Sequence, residues 1–151
     1  MAIRIRQIGL WRTEVPHRPG ALAQALEPLA QQGADLKIVR VRAAAGKTRR
    51  KVIEIYAGEG HRATMMARAA GFSLSASTTL LLQGDNRPGF AYDVANAVAW
   101  AGIGIKDHEA GVVETQFSST LTFDSEAEAS EAAKVIRKVA RSRSTLTPTR
   151  R

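Results

Sequence analysis

Two short phrases carry the residue types best suited to holding a small charged molecule. They are Pro16-His17-Arg18-Pro19-Gly20-Ala21 and Asp85-Asn86-Arg87-Pro88-Gly89-Phe90, with the shared Arg-Pro-Gly 69 residues apart, Arg18 to Arg87. Proline suits the first turn of a helix, where its missing N–H has no intrahelical partner to lose. Glycine lets the backbone turn tightly and lets another group come close. The free N–H groups at such a helix start, together with the positive end of the helix dipole, form an anion site. One such phrase is adequately explained as a well-made helix start. Here the spacing holds across a whole strand-turn-helix unit, since the helices that follow end at Gly33 and Gly102, again 69 apart. An internal repeat of this kind sets the architecture.

Other reactive residue types do not assemble into a mechanism. Asp107-His108-Glu109 is the densest cluster, but it reads as a hairpin turn, where charged residues are ordinary. His17, His61 and His108 share no metal-ligand spacing. Ser118, Ser119 and Thr120 have no nucleophile signature around them. Gly58-Glu59-Gly60-His61 lacks the Gly-Lys-Ser/Thr of a phosphate loop. There is no cysteine, which excludes disulfides, thiolate metal sites and thiol nucleophiles together. No catalytic activity, metal or cofactor is expected.

The elements that must position the two corners follow from periodicity. Residues 3–15 read as one extended stretch, and 20–32 as a helix with Leu22, Ala25, Leu26 and Leu29 on one face and Pro28 as an interior blemish that bends or shortens it. Residues 35–43 alternate as a strand burying Leu36, Ile38, Val39 and Val41 against exposed Lys37, Arg40 and Arg42, with a polar turn over 44–50 and a partner strand over 51–56. An alanine-rich helix spans 59–70 and a short strand 72–75. The order then repeats: a strand over 79–84, a helix striped by Phe90, Val94, Val98 and Ala101, a strand over 103–106, a turn over 107–111 and a long strand over 112–123. Ser125 with Glu128 forms a capping box for the last helix, whose buried stripe is Ala129, Ala132, Ala133, Ile136 and Val139.

Composition bounds the rest. At 151 residues the chain holds one domain or two small ones, and the repeat favours two. The formal charge of +8 is unevenly placed: Arg4, Arg6, Lys47, Arg49, Arg50, Lys51 and six residues from Arg137 to Arg151 account for 12 of the 22 basic residues. The remaining 10 face 14 acids, so the body of the chain is slightly acidic and the basicity sits in one hairpin tip and the two ends. The first residues lack the apolar core of a signal peptide and no run approaches a membrane span, so a cytoplasmic protein is expected.

A βαββαβ unit of about 70 residues with an Arg-Pro-Gly corner between its first strand and helix resembles the ACT domain, a small ferredoxin-like regulatory module that binds amino acids. The resemblance rests on 16–22 running through Gly33-Ala34-Asp35-Leu36, on 85–90 running through Gly102-Ile103-Gly104-Ile105, and on the short link 72–78. It implies an α+β fold of two ferredoxin-like modules, 1–76 and 77–141 with a basic tail at 142–151, pairing side by side into one eight-stranded antiparallel sheet with helices on one face. It also implies a small amino acid bound where two modules meet, its carboxylate on corner N–H groups and its ammonium on nearby oxygens. Carried over by position, the ligand-binding candidates are His17, Arg18, Gly20, Ala21, Asp35 and Leu36 in the first copy, and Asp85, Asn86, Arg87, Gly89, Phe90, Gly104 and Ile105 in the second. Side-chain shape at Phe90, Ala21 and Ile105 would set ligand size. The copies depart differently from the pattern: Pro16-His17 is a poorer polar lead-in than Asp85-Asn86, whereas Gly104 leaves empty the place Asp35 holds. One complete site is therefore expected from Asp85-Asn86 of one module and Asp35 of another. The implied partners are that amino acid, a second copy in a homodimer and a separate metabolic enzyme. Two alternatives stay open. One is a ligand-free interaction or scaffold subunit. The other is a nucleic-acid-binding protein of the same βαββαβ order, for which Tyr56, Phe117 and Phe123 would have to supply a base-stacking surface.

Overall fold

The computed structural model describes residues 3–46 and 49–142. Lys47 and the basic tail from 143 onward, both singled out in the sequence, lie outside them. The chain divides into two compact units, 9–75 and 3–8 together with 76–142.

The unit formed by 9–75 contains β2 (Trp11–Pro16), α1 (Ala21–Gln31), β3 (Ile38–Ala43), β4 (Arg50–Tyr56), α2 (His61–Ala69) and β5 (Ser73–Leu74). Its antiparallel sheet has the order β3-β4-β2-β5. Trp11, Ile53 and Ile55 from the sheet meet Leu29 of α1 and Met66 and Ala67 of α2 in one core. Pro28 neither shortens nor stops α1, which at 11 residues matches its counterpart in the second copy.

The other unit contains β1 (Ile3–Ile8), β6 (Thr78–Asp85), α3 (Phe90–Trp100), β7 (Asp107–Val113), β8 (Gln116–Phe123) and α4 (Glu126–Arg141). Its sheet has the order β1-β6-β8-β7, again antiparallel throughout. Leu80, Leu82, Leu121 and Phe123 pack under Phe90, Val94 and Val98 of α3 and Ala129, Ala132 and Ile136 of α4. Ser125 caps α4 as its sequence foretells, accepting a hydrogen bond from the Glu128 amide at 3.2 Å.

The fold class is α+β with two ferredoxin-like modules, as expected, and four details are corrected. Hydrogen bonds join the strands into two sheets of four in place of a single sheet of eight, because each module completes its own set. Residues 3–15 are not one strand of the first module: Ile3–Ile8 pairs with β6, register Ile5 to Leu82, and is the fourth strand of the second copy's sheet. The hairpin turn of the second copy is not at 107–111 but at 114–115, with Glu114 at φ 55°. Asp107, His108 and Glu109 therefore lie on β7, an edge strand that tolerates polar residues, and 103–106 forms no strand. On β3 the expected faces are reversed. Val39 and Val41 are each 43% exposed, while Arg40 is buried opposite Glu54 in register and bonded to both its carboxylate oxygens at 3.2 and 3.3 Å. The buried Glu54 carboxylate offsets the charge that Arg40 carries into the sheet.

Ile5→Pro is expected to break the β1–β6 ladder, since proline removes a donor from a strand. Hydrogen exchange followed by mass spectrometry would then show faster exchange across β6 with β4 unchanged. Full protection of β6 in the variant would contradict the pairing.

Candidate corner sites

Both corners are built by the same backbone device. The strand ends, the chain passes Pro-Gly, and the glycine at the helix N-cap sits in the left-handed region: Gly20 at φ 82°, ψ −9° and Gly89 at φ 82°, ψ 0°. Only glycine adopts this conformation without strain. In each copy the first helical amide turns back onto the corner arginine, Ala21 N–H donating to the Arg18 carbonyl at 3.3 Å and Phe90 N–H to that of Arg87 at 3.2 Å. The residue before the arginine is tied to the adjacent hairpin, His17 N–H to the Arg49 carbonyl and Asn86 N–H to the Thr115 carbonyl, both 2.8 Å. The start of the third segment is fixed in parallel, Lys37 N–H to Tyr56 and Lys106 N–H to Thr122. What such a corner can do is present the remaining first-turn amides, which have no intrahelical partner, to an anion.

The side chains at the corners are less alike than the backbones. Arg18 is exposed and its guanidinium reaches only the neutral Gln24, at 3.1 Å. Arg87 is 18% exposed and reaches the matched residue Asp93 at 3.2 Å, a buried carboxylate. It also donates to the carbonyl of Val139 at 2.9 Å and to that of Ser142, and lies 5.3 Å from the Phe90 ring centre. Both carbonyls lie at the C-terminal end of α4, that of Val139 also accepting from the Ser142 amide, so Arg87 helps cap one helix while bracing the start of another. The difference in charge follows: Asp93 neutralises Arg87, whereas Arg18 keeps its charge.

The remaining candidates are placed as follows. Asp85 accepts from Gln116 Nε2 at 3.1 Å, and both Asp85 and Asn86 are exposed. Asp35 is 76% exposed and ion-paired with Lys37. It lies in one unit and Asp85 with Asn86 in the other. Leu36 and Ile105 are half-buried and pack on the cores of their own modules, and Gly104 is exposed. Phe90 and Ala21 are buried, Phe90 edge-on to Phe117 with ring centres 4.9 Å apart, so neither side chain shapes a ligand pocket as expected; each offers only backbone at the corner. Asp93 and the α4 carbonyls escaped notice in the sequence. Superposing the copies would have flagged Asp93, because Gln24 stands in its place.

The other candidates from the sequence lie as follows. Tyr56, Phe117 and Phe123 are all buried, so the base-stacking surface needed for nucleic-acid recognition is absent from these strands. Among the described residues no cluster of His, Asp and Glu could hold a metal, and His108 Nε2 lies 3.0 Å from Ser119 Oγ. No helix among them is long and apolar enough to cross a membrane.

No protein-family model matches the sequence, and no curated protein does. Solved structures do. Protein BT0572 from Bacteroides thetaiotaomicron superposes with a TM-score of 0.68 at 12% identity, covering 89% of each chain. The ligand-free regulatory subunit of aspartate kinase from Thermus thermophilus gives 0.61 at 15% identity, covering 92% of this chain and 97% of that one. The fold is that of a tandem ACT-domain protein. It also recurs as part of a longer chain: aspartate kinase from Synechocystis gives 0.57 at 20% identity, with 97% of this chain matching 28% of that one. Identities this low speak for the fold, and function must be argued from the sites.

The two arginines yield a sharp contrast. Arg87→Ala leaves Asp93 buried without its partner and uncaps α4, an expected loss of about 3 kcal/mol. Arg18→Ala removes an exposed side chain and is expected to change stability by less than about 0.5 kcal/mol. Urea unfolding of both variants measures this, and equal effects would contradict the assignment.

Proposed function

We propose that this chain is a non-catalytic regulatory protein. In this reading it binds a small amino acid at a corner where two ACT-like modules meet and passes that state to a separate enzyme. The observation that carries it is the duplicated corner, with Gly20 and Gly89 held at the same φ and the amides around them bonded in the same way. A structure conserved between two copies of such different sequence is one the chain needs twice. Its chemistry suits a zwitterion: the carboxylate takes first-turn amides, and the ammonium takes oxygens of Asp85 and Asn86 from one module and of Asp35 from another. Asp35 already accepts a surface lysine, Lys37, so an ammonium there replaces one cation with another. The charge left on Arg18 makes the first corner the stronger attractor for a carboxylate. His17, Arg18, Gly20 and Ala21 set the backbone there, as Arg87, Gly89 and Phe90 do in the second, and the amides left for the carboxylate are those of the following first-turn residues. Solved aspartate kinase regulatory subunits of the same fold support the regulatory part of the reading. The protein acts in the cytoplasm, as a homodimer.

Thermal unfolding against each of the twenty amino acids at millimolar concentration tests this. A ligand at a hundred times its dissociation constant adds about 2.7 kcal/mol, a rise of several degrees in Tm at this size. One or a few related amino acids are expected to give that rise, and Asp35→Ala and Asn86→Ala are each expected to abolish it. No rise with any amino acid, or unchanged affinity in both variants, would contradict the proposal.

A further inference from the structure

Strand β1 and helix α4 lie side by side without closing on each other. Ile3, Ile5 and Gln7 alternate onto the side of the strand that the helix covers. The two isoleucines pack on the core, and the Gln7 amide donates to Ser130 Oγ at 3.2 Å and to the Glu126 carbonyl at 3.4 Å. Those bonds pin the strand to the start of α4. One turn further on, the helix presents only the methyl of Ala133 to Ile5, and a pocket of about 260 Å³ opens between them. Ile5, Ala133 and the buried Leu80 give it an apolar floor, and the exposed Lys134 and Arg137 give it a basic rim. Ser130, Ala133, Lys134 and Arg137 form one stripe of α4, at helical spacing. The first module has no counterpart, because its matching strand β5 has two residues and α2 only nine.

We propose that this pocket binds a small monocarboxylate with a short apolar body, as a ligand separate from any amino acid at the corners. No carboxylate is among its lining residues. Arg137 forms no ion pair among the described residues. Lys134 pairs with Glu131 at 2.9 Å, but the two side chains are 65% and 61% exposed. A pair so exposed is weak, so Lys134 exchanges readily to another carboxylate. The ligand carboxylate takes the fork of Arg137 with Lys134 beside it, and the hydrocarbon lies on Ile5, Leu80 and Ala133. Ser130, which accepts from Gln7, keeps its own hydrogen to donate. An amino acid fits this pocket poorly, since its ammonium would meet two cations and no acid. Size follows from volume: an apolar cavity of about 150 Å³ holds benzene, so this pocket has room for about ten non-hydrogen atoms, a carboxylate with about six carbons. The inference rests on β1 and α4 and owes nothing to the corner reading.

An amide-resolved NMR titration of the full chain with 4-methylpentanoate tests this. Saturable shifts at low-millimolar concentration are expected at the amides of Ile5, Gln7, Ala133 and Arg137. The neutral analogue 4-methylpentanamide is expected to bind about tenfold more weakly or worse, as is the acid to a Lys134→Gln, Arg137→Gln double variant, because each change removes charge-assisted hydrogen bonds. Both side chains are exposed, so that variant keeps its fold, which its unliganded spectrum checks. Ala133→Leu fills the floor and is expected to abolish binding. No saturable shift at these amides at tens of millimolar would overturn the proposal. So would equal binding of 4-methylpentanamide or leucine in this pocket, or unchanged affinity in the glutamine variant. Shifts at Gly20 and Gly89 on adding amino acids report the corners separately, so either reading can fail without the other.

Discussion

At both corners the turn from strand into helix runs through a glycine held at φ 82°, a conformation that only glycine adopts without strain. Everything near the corners depends on it. The left-handed turn swings the helix axis back over its own sheet, bringing Leu29 or Val98 down onto the core. It also leaves the first-turn amides facing outward. Packing and anion chemistry thus come from one backbone constraint, and the corner's geometry persists although its side chains have diverged.

That divergence separates two roles that the sequence presents as one. Arg18 and Arg87 occupy equivalent positions, and each reaches a residue six places on. Changing that residue from Gln24 to Asp93, and adding the long α4 beside it, turns an exposed cation into a helix clamp. The second corner is accordingly the more heavily braced, with its arginine balanced by a carboxylate. The first keeps the positive charge and makes fewer contacts.

How much of this was legible depends on whether the cue was local. The corners, the length of α3 and the cap of α4 were legible, because Gly after Pro and Ser three residues before Glu each answer a local backbone need. Pro28 left bending and shortening both open, and α1 keeps its full length around it. The position of the β7–β8 turn was hidden, because Glu114 takes a positive φ that a glycine three residues earlier, at Gly111, advertises more loudly. Residues 3–15 read as one extended stretch, and nothing in it names β6 as the partner of its first part. Arg40 read as a solvent-facing residue because its burial depends on register with Glu54 across the sheet. For the candidate site, residue types pointed to two corners that the backbone builds alike, yet burial of Phe90 and the clamp on Arg87 are properties of the packed module.

The most direct test of the account is an amide-resolved NMR titration with a mixture of the standard amino acids. The account predicts saturable shifts concentrated at the corner amides, from Gly20 to Ala23 and from Gly89 to Tyr92, with Asp35 and Asn86 moving in step. Shifts confined to other surfaces, or none at millimolar concentration, would contradict the claim that these corners bind an amino acid.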